Sequence, residues 1–219
     1  MELNGKTVNF LGDSITQGVG ASSYEKCFVS LFAKAHPNTK VNNYGIGGTR
    51  ITPQRVPSEV ARWDLDFLGR ADDMDESADL ICVYGGVNDH AHGDAPFGKF
   101  GDDTPETFCG ALRCLTLKLL NKYPDKRIAF FTPLHRVYRV PGVETAPKSP
   151  DHRPLYDYVQ EIRRNAEYFS LPVLDLWATA GMQPEVPVIN ATYFADGIHP
   201  NDFGYERLFH LVDKFIESL

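Results

Sequence analysis

The segment that decides the fold reads Val8-Asn9-Phe10-Leu11-Gly12-Asp13-Ser14-Ile15-Thr16-Gln17-Gly18. A short apolar strand runs directly into a glycine, an acid and a serine, and small and polar residues follow. Because open α/β sheets keep their ligand sites at the carboxyl ends of the strands, Ser14 is expected at such a site. Glycine, aspartate and serine are also frequent in ordinary turns, for reasons of backbone conformation. This segment alone therefore leaves two interpretations of Ser14 open, a nucleophile and a turn residue.

The length and composition suit one α/β domain that spans residues 1–219. Of the residues, 42% are hydrophobic, which is enough to bury a sheet between helices. A formal net charge of −7 argues against nucleic acid as the main partner. No signal peptide is visible and no apolar run approaches the length of a membrane-spanning helix. The expectation is a cytoplasmic protein without integral membrane contact, whose oligomeric state stays open.

Cysteine and histidine spacing gives no sign of a metal site or a disulfide framework. The four cysteines are Cys27, Cys82, Cys109 and Cys114. They form no Cys-x-x-Cys pair, so buried free thiols are expected. His90 and His92 could hold a metal, but no third ligand lies near them in the sequence, and a solvated pair on a loop is the favoured interpretation. We therefore expect neither a metal nor a cofactor.

Strand and helix patterns alternate along the whole chain. Strands are predicted where apolar, β-prone segments occur, at residues 7–11, 40–44, 78–84, 127–132 and 173–175. Helices are predicted from apolar spacing and cap residues, at 24–35, 57–68, 105–122, 151–168 and 202–218. This alternation predicts a parallel five-stranded sheet with helices on both faces, a three-layer α/β/α fold.

Four polar segments rich in glycine and acids follow predicted strands or precede the last helix. They read Gly12-Asp13-Ser14, Gly47-Gly48, Gly86-Val87-Asn88-Asp89 and Asp196-Gly197-Ile198-His199-Pro200. The loops after the first three strands of a parallel sheet open at the same edge. Each segment alone is weak evidence for a functional site, because Asp-Gly and Asn are common in turns. Together they contain every part of a serine hydrolase site.

Each residue type in this set has a chemical reason to be there. Ser14 would be the nucleophile, and His199 would accept its proton and return it to the leaving alcohol. Asp196 lies three residues before His199, so a turn can hold the acid against the ring. The oxyanion donors would be the backbone N–H groups of Ser14 and Gly48 and the side-chain amide of Asn88. Asp13 and Asp89 are expected to hold the loops by accepting backbone hydrogen bonds.

Other sites that occupy the same sheet edge fit the sequence poorly. The Gly-x-Ser-x-Gly elbow of α/β-hydrolases is absent, since Gly12-Asp13-Ser14 continues with Ile15-Thr16. A dinucleotide site fails because Gly45-x-Gly47 is followed by Arg50 in place of the third glycine. A metal-dependent phosphatase of the Asp-x-Asp type would need an acid at position 15.

The four segments resemble, in order, the four signature blocks of the SGNH (GDSL-type) hydrolases, with Asn43-Tyr44-Gly45-Ile46 completing the second block. The resemblance extends over about residues 8 to 203. It implies a flavodoxin-like fold and metal-free hydrolysis of esters or thioesters. It also implies that Ser14, Gly48, Asn88 and His199 are the family's four namesake residues, with Asp196 as the third member of the triad. Ile15 replaces a frequent Leu and Gly47 a frequent Ser, at positions without a chemical role.

Two loops at the same edge are candidate specificity regions, residues 90–103 and 133–150. The second loop carries Arg136 and Arg139 in an otherwise acidic protein, and we hypothesise that one of them meets a polar or anionic substrate group. A solvated surface loop is an equally good interpretation. The polarity of both loops favours small polar esters, such as acetylated carbohydrates, over long-chain lipids.

The function predicted from the sequence is that of a serine esterase working through a Ser14 acyl-enzyme that water resolves. A lipase or lysophospholipase, a thioester acylhydrolase and an acyltransferase remain alternatives on the same site. A binding module that keeps the fold without chemistry is a further alternative, against which the intact Ser14, Asp196 and His199 set argues.

Overall fold

A parallel five-stranded sheet forms the centre of the molecule. The computed structural model describes residues 1–137, 149, 151 and 153–219. The strands are β1 (Thr7–Gly12), β2 (Lys40–Gly45), β3 (Leu80–Tyr84), β4 (Arg127–Phe131) and β5 (Val173–Leu174). Their order in the sheet is β2-β1-β3-β4-β5 and every neighbouring pair is parallel, so the predicted sheet is confirmed.

Helices of very different length connect and cover the strands. The α-helices are α1 (Ser14–Gln17), α2 (Phe28–Ala35), α3 (Phe67–Arg70), α4 (Val87–His92), α5 (Phe108–Lys122), α6 (Leu155–Tyr168), α7 (Leu176–Thr179), α8 (Pro187–Tyr193) and α9 (Asp202–Ser218). Short 3-10 turns occupy Tyr24–Lys26, Ala61–Asp64 and Ala71–Asp73.

Two cores lie on opposite faces of the sheet, because successive side chains of a strand point to opposite sides. Phe10 of β1 belongs to the core that contains residues of α2 and α9, and its ring meets those of Phe28 and Phe32 edge-on at 5.6 and 5.5 Å. Leu11, its neighbour, belongs to the core that contains residues of α5 and α6. This pattern confirms the three-layer α/β/α arrangement.

The strand order changes direction between β1 and β3. From β1 the chain goes outward to β2, and from β3 it goes the other way to β4 and β5. In open α/β sheets a crevice for ligands forms at the carboxyl ends of the two strands that flank this reversal. The segments that follow β1 and β3 carry Ser14 and Asn88.

The helix predicted over residues 57–68 is wrong. Only a 3-10 turn at Ala61–Asp64 and the short α3 form there. The Asp64 carboxylate accepts a hydrogen bond from the backbone N–H of Ser58 at 2.8 Å and pairs with Arg50 at 2.8 Å. Asp66 caps α3 by accepting from the N–H of Gly69. Side-chain bonds of this kind compete with helical ones and hold the segment in an irregular course.

Other boundaries differ in smaller ways. The helix predicted from residue 24 begins at Phe28, because Cys27 has an extended conformation with ψ 155°. The predicted loop 90–103 starts inside α4, and the helix predicted from 151 starts at Leu155, after Pro154. Of the predicted loop 133–150, residues 138–148 and 150 lie outside the described residues.

The four cysteines are free thiols, as expected, and three are buried while Cys114 is half-buried. Among the described residues, no helix has both the length and the apolar character needed to cross a membrane.

Candidate active site

Ser14 is placed by a tight turn at the end of β1. It is the first residue of α1, and the carboxylate of the preceding Asp13 accepts a hydrogen bond from the N–H of Ile15 at 3.0 Å. A side chain at Gly12 would put its Cβ 2.0 Å from the Thr16 hydroxyl oxygen, so only glycine fits at the turn. The expected loop-holding role of Asp13 is confirmed by this bond.

His199 lies against Ser14, although 185 residues separate them in the chain. Its Nε2 atom is 2.9 Å from Ser14 Oγ, and its Nδ1 atom is 2.7 Å from Asp196 Oδ2. The other oxygen of Asp196 accepts from the backbone N–H groups of Ile198 and His199, at 2.9 and 2.7 Å. The turn between Asp196 and His199 thus fixes the carboxylate and the ring together.

The protonation state of Asp196 determines which ring nitrogen of His199 carries the hydrogen. Burial by itself would raise the pKa of Asp196, but hydrogen bonds from the His199 ring and backbone, together with the His199 charge and the Ile198 N–H, lower it to about 2. An ionised carboxylate only accepts hydrogen bonds, so the hydrogen of the neutral ring lies on Nδ1. Nε2 is then the acceptor that faces the Ser14 hydroxyl.

Gly48 and Asn88 reach the same cleft from the loops after β2 and β3. The cleft has a volume of about 340 Å³, and Ser14, Gly48, Asn88 and His199 all line it. Gly48 has a φ of +81°, a conformation that favours glycine. The Asn88 side-chain nitrogen donates one hydrogen to the Thr49 carbonyl at 2.9 Å. An amide nitrogen carries two hydrogens. The bond to Thr49 therefore fixes the orientation of the Asn88 amide and leaves its second hydrogen for another acceptor.

Asp13 is a buried carboxyl directly beside Ser14, with 2% of its surface exposed. Burial, with a contribution from the charge of Asp89, raises its pKa to about 6, although the Ile15 N–H, His199 and Arg70 act in the opposite direction. Asp89 accepts from the N–H groups of Ile51 and Thr52, at 3.0 and 2.9 Å, which confirms its predicted loop-holding role.

Arg70 forms hydrogen bonds with residues at the ends of β1 and β2 and in the loop after β2. This role of Arg70 was not predicted from the sequence. Its guanidinium donates to the carbonyl of Gly12 at 3.0 Å, to the Thr49 hydroxyl at 2.8 Å and to the carbonyl of Tyr44. Burial lowers its pKa to about 10, which leaves it charged near neutral pH. One cation therefore links the ends of β1 and β2 to the residue that follows Gly48.

Several side chains that line the cleft were also not predicted as site residues. They are Gln17, Val19, Arg62, Trp63, Ala91 and His92. Trp63 lies in the segment 57–68 that was predicted as a helix, and a tryptophan in a helix is typical of a core position. No local feature of the sequence distinguishes a tryptophan in the core from one that lines a cleft.

The two arginines predicted to bind substrate have different outcomes. Arg136 lines the cleft and is 9% exposed. Arg139 lies outside the described residues. In the described part of the chain, no three His, Cys, Asp or Glu side chains are grouped to hold a metal ion.

Comparisons with known proteins place these features in a wider group. The model of the GDSL-like lipase/acylhydrolase family matches residues 10–207. A solved structure of a protein from Lactobacillus plantarum is 28% identical over 99% of both chains, with a TM-score of 0.83. No curated protein matches the chain significantly.

Two more distant structures share the fold. The lipase/acylhydrolase from Enterococcus faecalis is 19% identical, with a TM-score of 0.67 over 97% of this chain and 96% of that one. A two-domain esterase active on acetylated mannans, co-crystallised with mannopentaose, is 20% identical, with a TM-score of 0.61 over 97% of this chain and 49% of that one. At these identities the likeness is one of fold alone.

Proposed function

The chain belongs to the GDSL-like lipase/acylhydrolase family, and on that premise we propose that it is a serine esterase that acts through Ser14, His199 and Asp196. The observation that carries this proposal is the continuous line of contacts from Asp196 through His199 to Ser14, at 2.7 and 2.9 Å. A base in hydrogen-bond contact with a hydroxyl, and itself oriented by an acid, is the arrangement that activates a serine.

The first half of the reaction forms an acyl-enzyme. Ser14 Oγ attacks the ester carbonyl carbon while His199 Nε2 accepts the hydroxyl proton. The negative oxygen that develops is stabilised by the backbone N–H groups of Ser14 and Gly48 and by the Asn88 amide. The tetrahedral intermediate then collapses, and the leaving alcohol takes the proton from His199.

The second half releases the acid. Water attacks the acyl carbon and gives a proton to His199, the same three donors stabilise the new oxyanion, and the proton returns to Ser14 as the carboxylic acid leaves. Asp196 stays ionised throughout and stabilises the imidazolium that forms in both halves.

We infer that the substrate is a small ester of a polar alcohol, such as an acetylated carbohydrate. Support comes from Arg62 and Arg136, two charged side chains that line a cleft whose remaining surface is mostly apolar. The structural neighbour that acts on acetylated mannans has the same fold. Arg136 is proposed to contact a hydroxyl or an anionic group of the alcohol.

Hydrolysis of p-nitrophenyl acetate by the wild type and by Ser14→Ala tests the reaction. Loss of the nucleophile is expected to lower kcat by about 10³-fold or more, as for other serine hydrolases. Ser23→Ala, at an exposed serine outside the cleft, is the matched control and should keep wild-type turnover. Full activity in a folded Ser14→Ala protein would refute the assignment.

Acetate release from acetylated mannose oligosaccharides, measured beside hydrolysis of p-nitrophenyl palmitate and of a lysophospholipid, tests the substrate class. We expect a larger kcat/KM on the acetylated sugars. A preference for the long-chain lipids would contradict the proposed class while leaving the proposed reaction intact.

A further inference from the structure

The cleft has two walls that different segments of the chain build. The first, which we call the histidine wall, consists of Val19, Arg136, Ile198 and His199. These residues are close neighbours: the N–H of Val137 donates to the carbonyl of Gly197 at 2.9 Å, and a Cβ at Gly20 would lie 2.9 Å from that of His199.

The second wall, which we call the oxyanion wall, consists of Gly48, Trp63, Asn88, Ala91 and His92. Trp63 lies directly on Gly48, since a Cβ at that glycine would be 2.2 to 2.7 Å from three atoms of the indole ring. The ring centroids of Trp63 and His92 are 5.2 Å apart, with a tilt of 39°. Trp63 and His92 therefore form one aromatic surface beside the proposed oxyanion donors.

The chemistry of ester cleavage assigns a different part of the substrate to each wall. The leaving oxygen has to approach His199 Nε2, which returns the proton to it, so the alcohol lies along the histidine wall. The carbon that bears the oxyanion also bears the acyl chain. Because the alcohol occupies the histidine wall, we assign the acyl chain to the other wall of the cleft, the oxyanion wall.

We propose that Trp63 sets the length of the acyl group, an inference that rests on the proposed function. Its indole covers the Gly48 backbone, so an acyl chain longer than a few carbons would meet the ring. An acetyl group, whose methyl is its only carbon beyond the carbonyl, avoids this contact.

An ion pair between the buried Arg50 and the partly exposed Asp64 lies next to Trp63. Arg50, whose side chain is 1% exposed, donates to Asp64 Oδ1 at 2.8 Å and to His92 Nδ1 at 2.9 Å. Asp64 follows Trp63 in the chain. The Arg50 guanidinium therefore binds both the residue next to Trp63 and the His92 ring that packs against the Trp63 indole. Arginine has no acceptor atom, so His92 Nδ1 accepts the hydrogen bond from Arg50.

The test compares acyl lengths in the wild type and in Trp63→Ala. Initial rates are measured with p-nitrophenyl acetate, butyrate, hexanoate and octanoate, which share one leaving group. The ratio of kcat/KM for hexanoate to that for acetate is expected to rise at least about 10-fold in Trp63→Ala, since space for added methylenes changes discrimination by that order. Trp63→Leu, with a smaller apolar side chain over Gly48, should give an intermediate ratio and replaces Trp63→Ala if that variant does not fold.

Trp177→Ala is the matched control. The Trp177 ring packs on His135 at 3.7 Å and does not line the cleft, so the acyl-length profile should stay that of the wild type. An unchanged ratio in folded Trp63 variants would overturn the role of Trp63, as would a change that follows the alcohol at constant acetyl group. Absence of turnover in the wild type on every ester would instead overturn the proposed function.

Discussion

Replacing Asp13 by asparagine should change how the stability of the protein depends on pH. Burial is the main reason that the pKa of Asp13 is raised from its ordinary value of 3.8 to about 6. The folded state therefore holds this proton more tightly than the unfolded state, and stability falls as pH rises from below 3.8 to above 6. Asparagine keeps an oxygen that can accept from the Ile15 N–H but carries no charge at any pH.

The size of the effect follows from the two pKa values. They differ by about 2 pH units, and at about 1.4 kcal/mol per unit the ionised Asp13 costs about 3 kcal/mol of folding free energy. Most of this cost arises between pH 4 and pH 8. Relative to the wild type, Asp13→Asn should therefore gain about 2–3 kcal/mol of stability over that interval. Any fixed cost of burying the amide is the same at both pH values and cancels.

Urea unfolding of both proteins at pH 4, 5, 6, 7 and 8 measures the difference. Asp125→Asn, at an exposed position, controls for the loss of one negative charge. A difference in unfolding free energy that stays constant from pH 4 to pH 8, or that falls as pH rises, would refute the assignment of a buried, proton-binding Asp13.

The remaining predictions concern catalysis. Asp196→Asn removes the carboxylate that accepts the Nδ1 hydrogen of His199, so kcat on p-nitrophenyl acetate should fall about 10³- to 10⁴-fold with little change in KM. A loss of kcat below 10-fold would contradict the triad. Asn88→Ala removes one proposed oxyanion donor and should lower kcat about 10²- to 10³-fold, measured on the same ester with folding checked by circular dichroism; unchanged kcat would exclude that role. Arg136→Ala should lower kcat/KM on acetylated sugars more than on p-nitrophenyl acetate, and an equal effect on both would argue against a contact with the polar alcohol.

The sequence was sufficient to predict the sheet and the four residues that meet in the cleft. The loops that follow parallel strands lie at one edge of the sheet, so the parallel arrangement was enough to assign Ser14, Gly48 and Asn88 to the same edge. The spacing of three residues predicted the contact between Asp196 and His199. Their place beside Ser14 was inferred from the chemistry of the whole residue set and from the resemblance to the SGNH hydrolases.

Residues that depend on distant partners could not be predicted in this way. No helix forms over residues 57–68, where Asp64 pairs with Arg50, fourteen positions earlier, and accepts from the N–H of Ser58; Trp63 of this irregular segment lines the cleft. Arg70 is a second example, since it contacts Gly12 and Tyr44, 58 and 26 positions away. A periodic pattern indicates which face of a helix is apolar. It does not indicate which charged side chain will form a hydrogen bond with a distant backbone group.

The attachment of α9 has a consequence for what an activity measurement reports. The hydroxyl of Tyr205, in α9, has one hydrogen to donate and lies 2.7 Å from the carbonyl oxygen of Val19 and 3.1 Å from that of Ile15. Asp202 accepts from the N–H and the hydroxyl of Ser22. These bonds join the segment that carries His199 to the segment that carries Ser14. If α9 detaches locally, the two side chains separate while the sheet is still intact, because local openings require less free energy than global unfolding. If Ser14 and His199 act as proposed, loss of turnover therefore reports the detachment of the last helix, whereas far-ultraviolet dichroism reports the secondary structure of the whole chain.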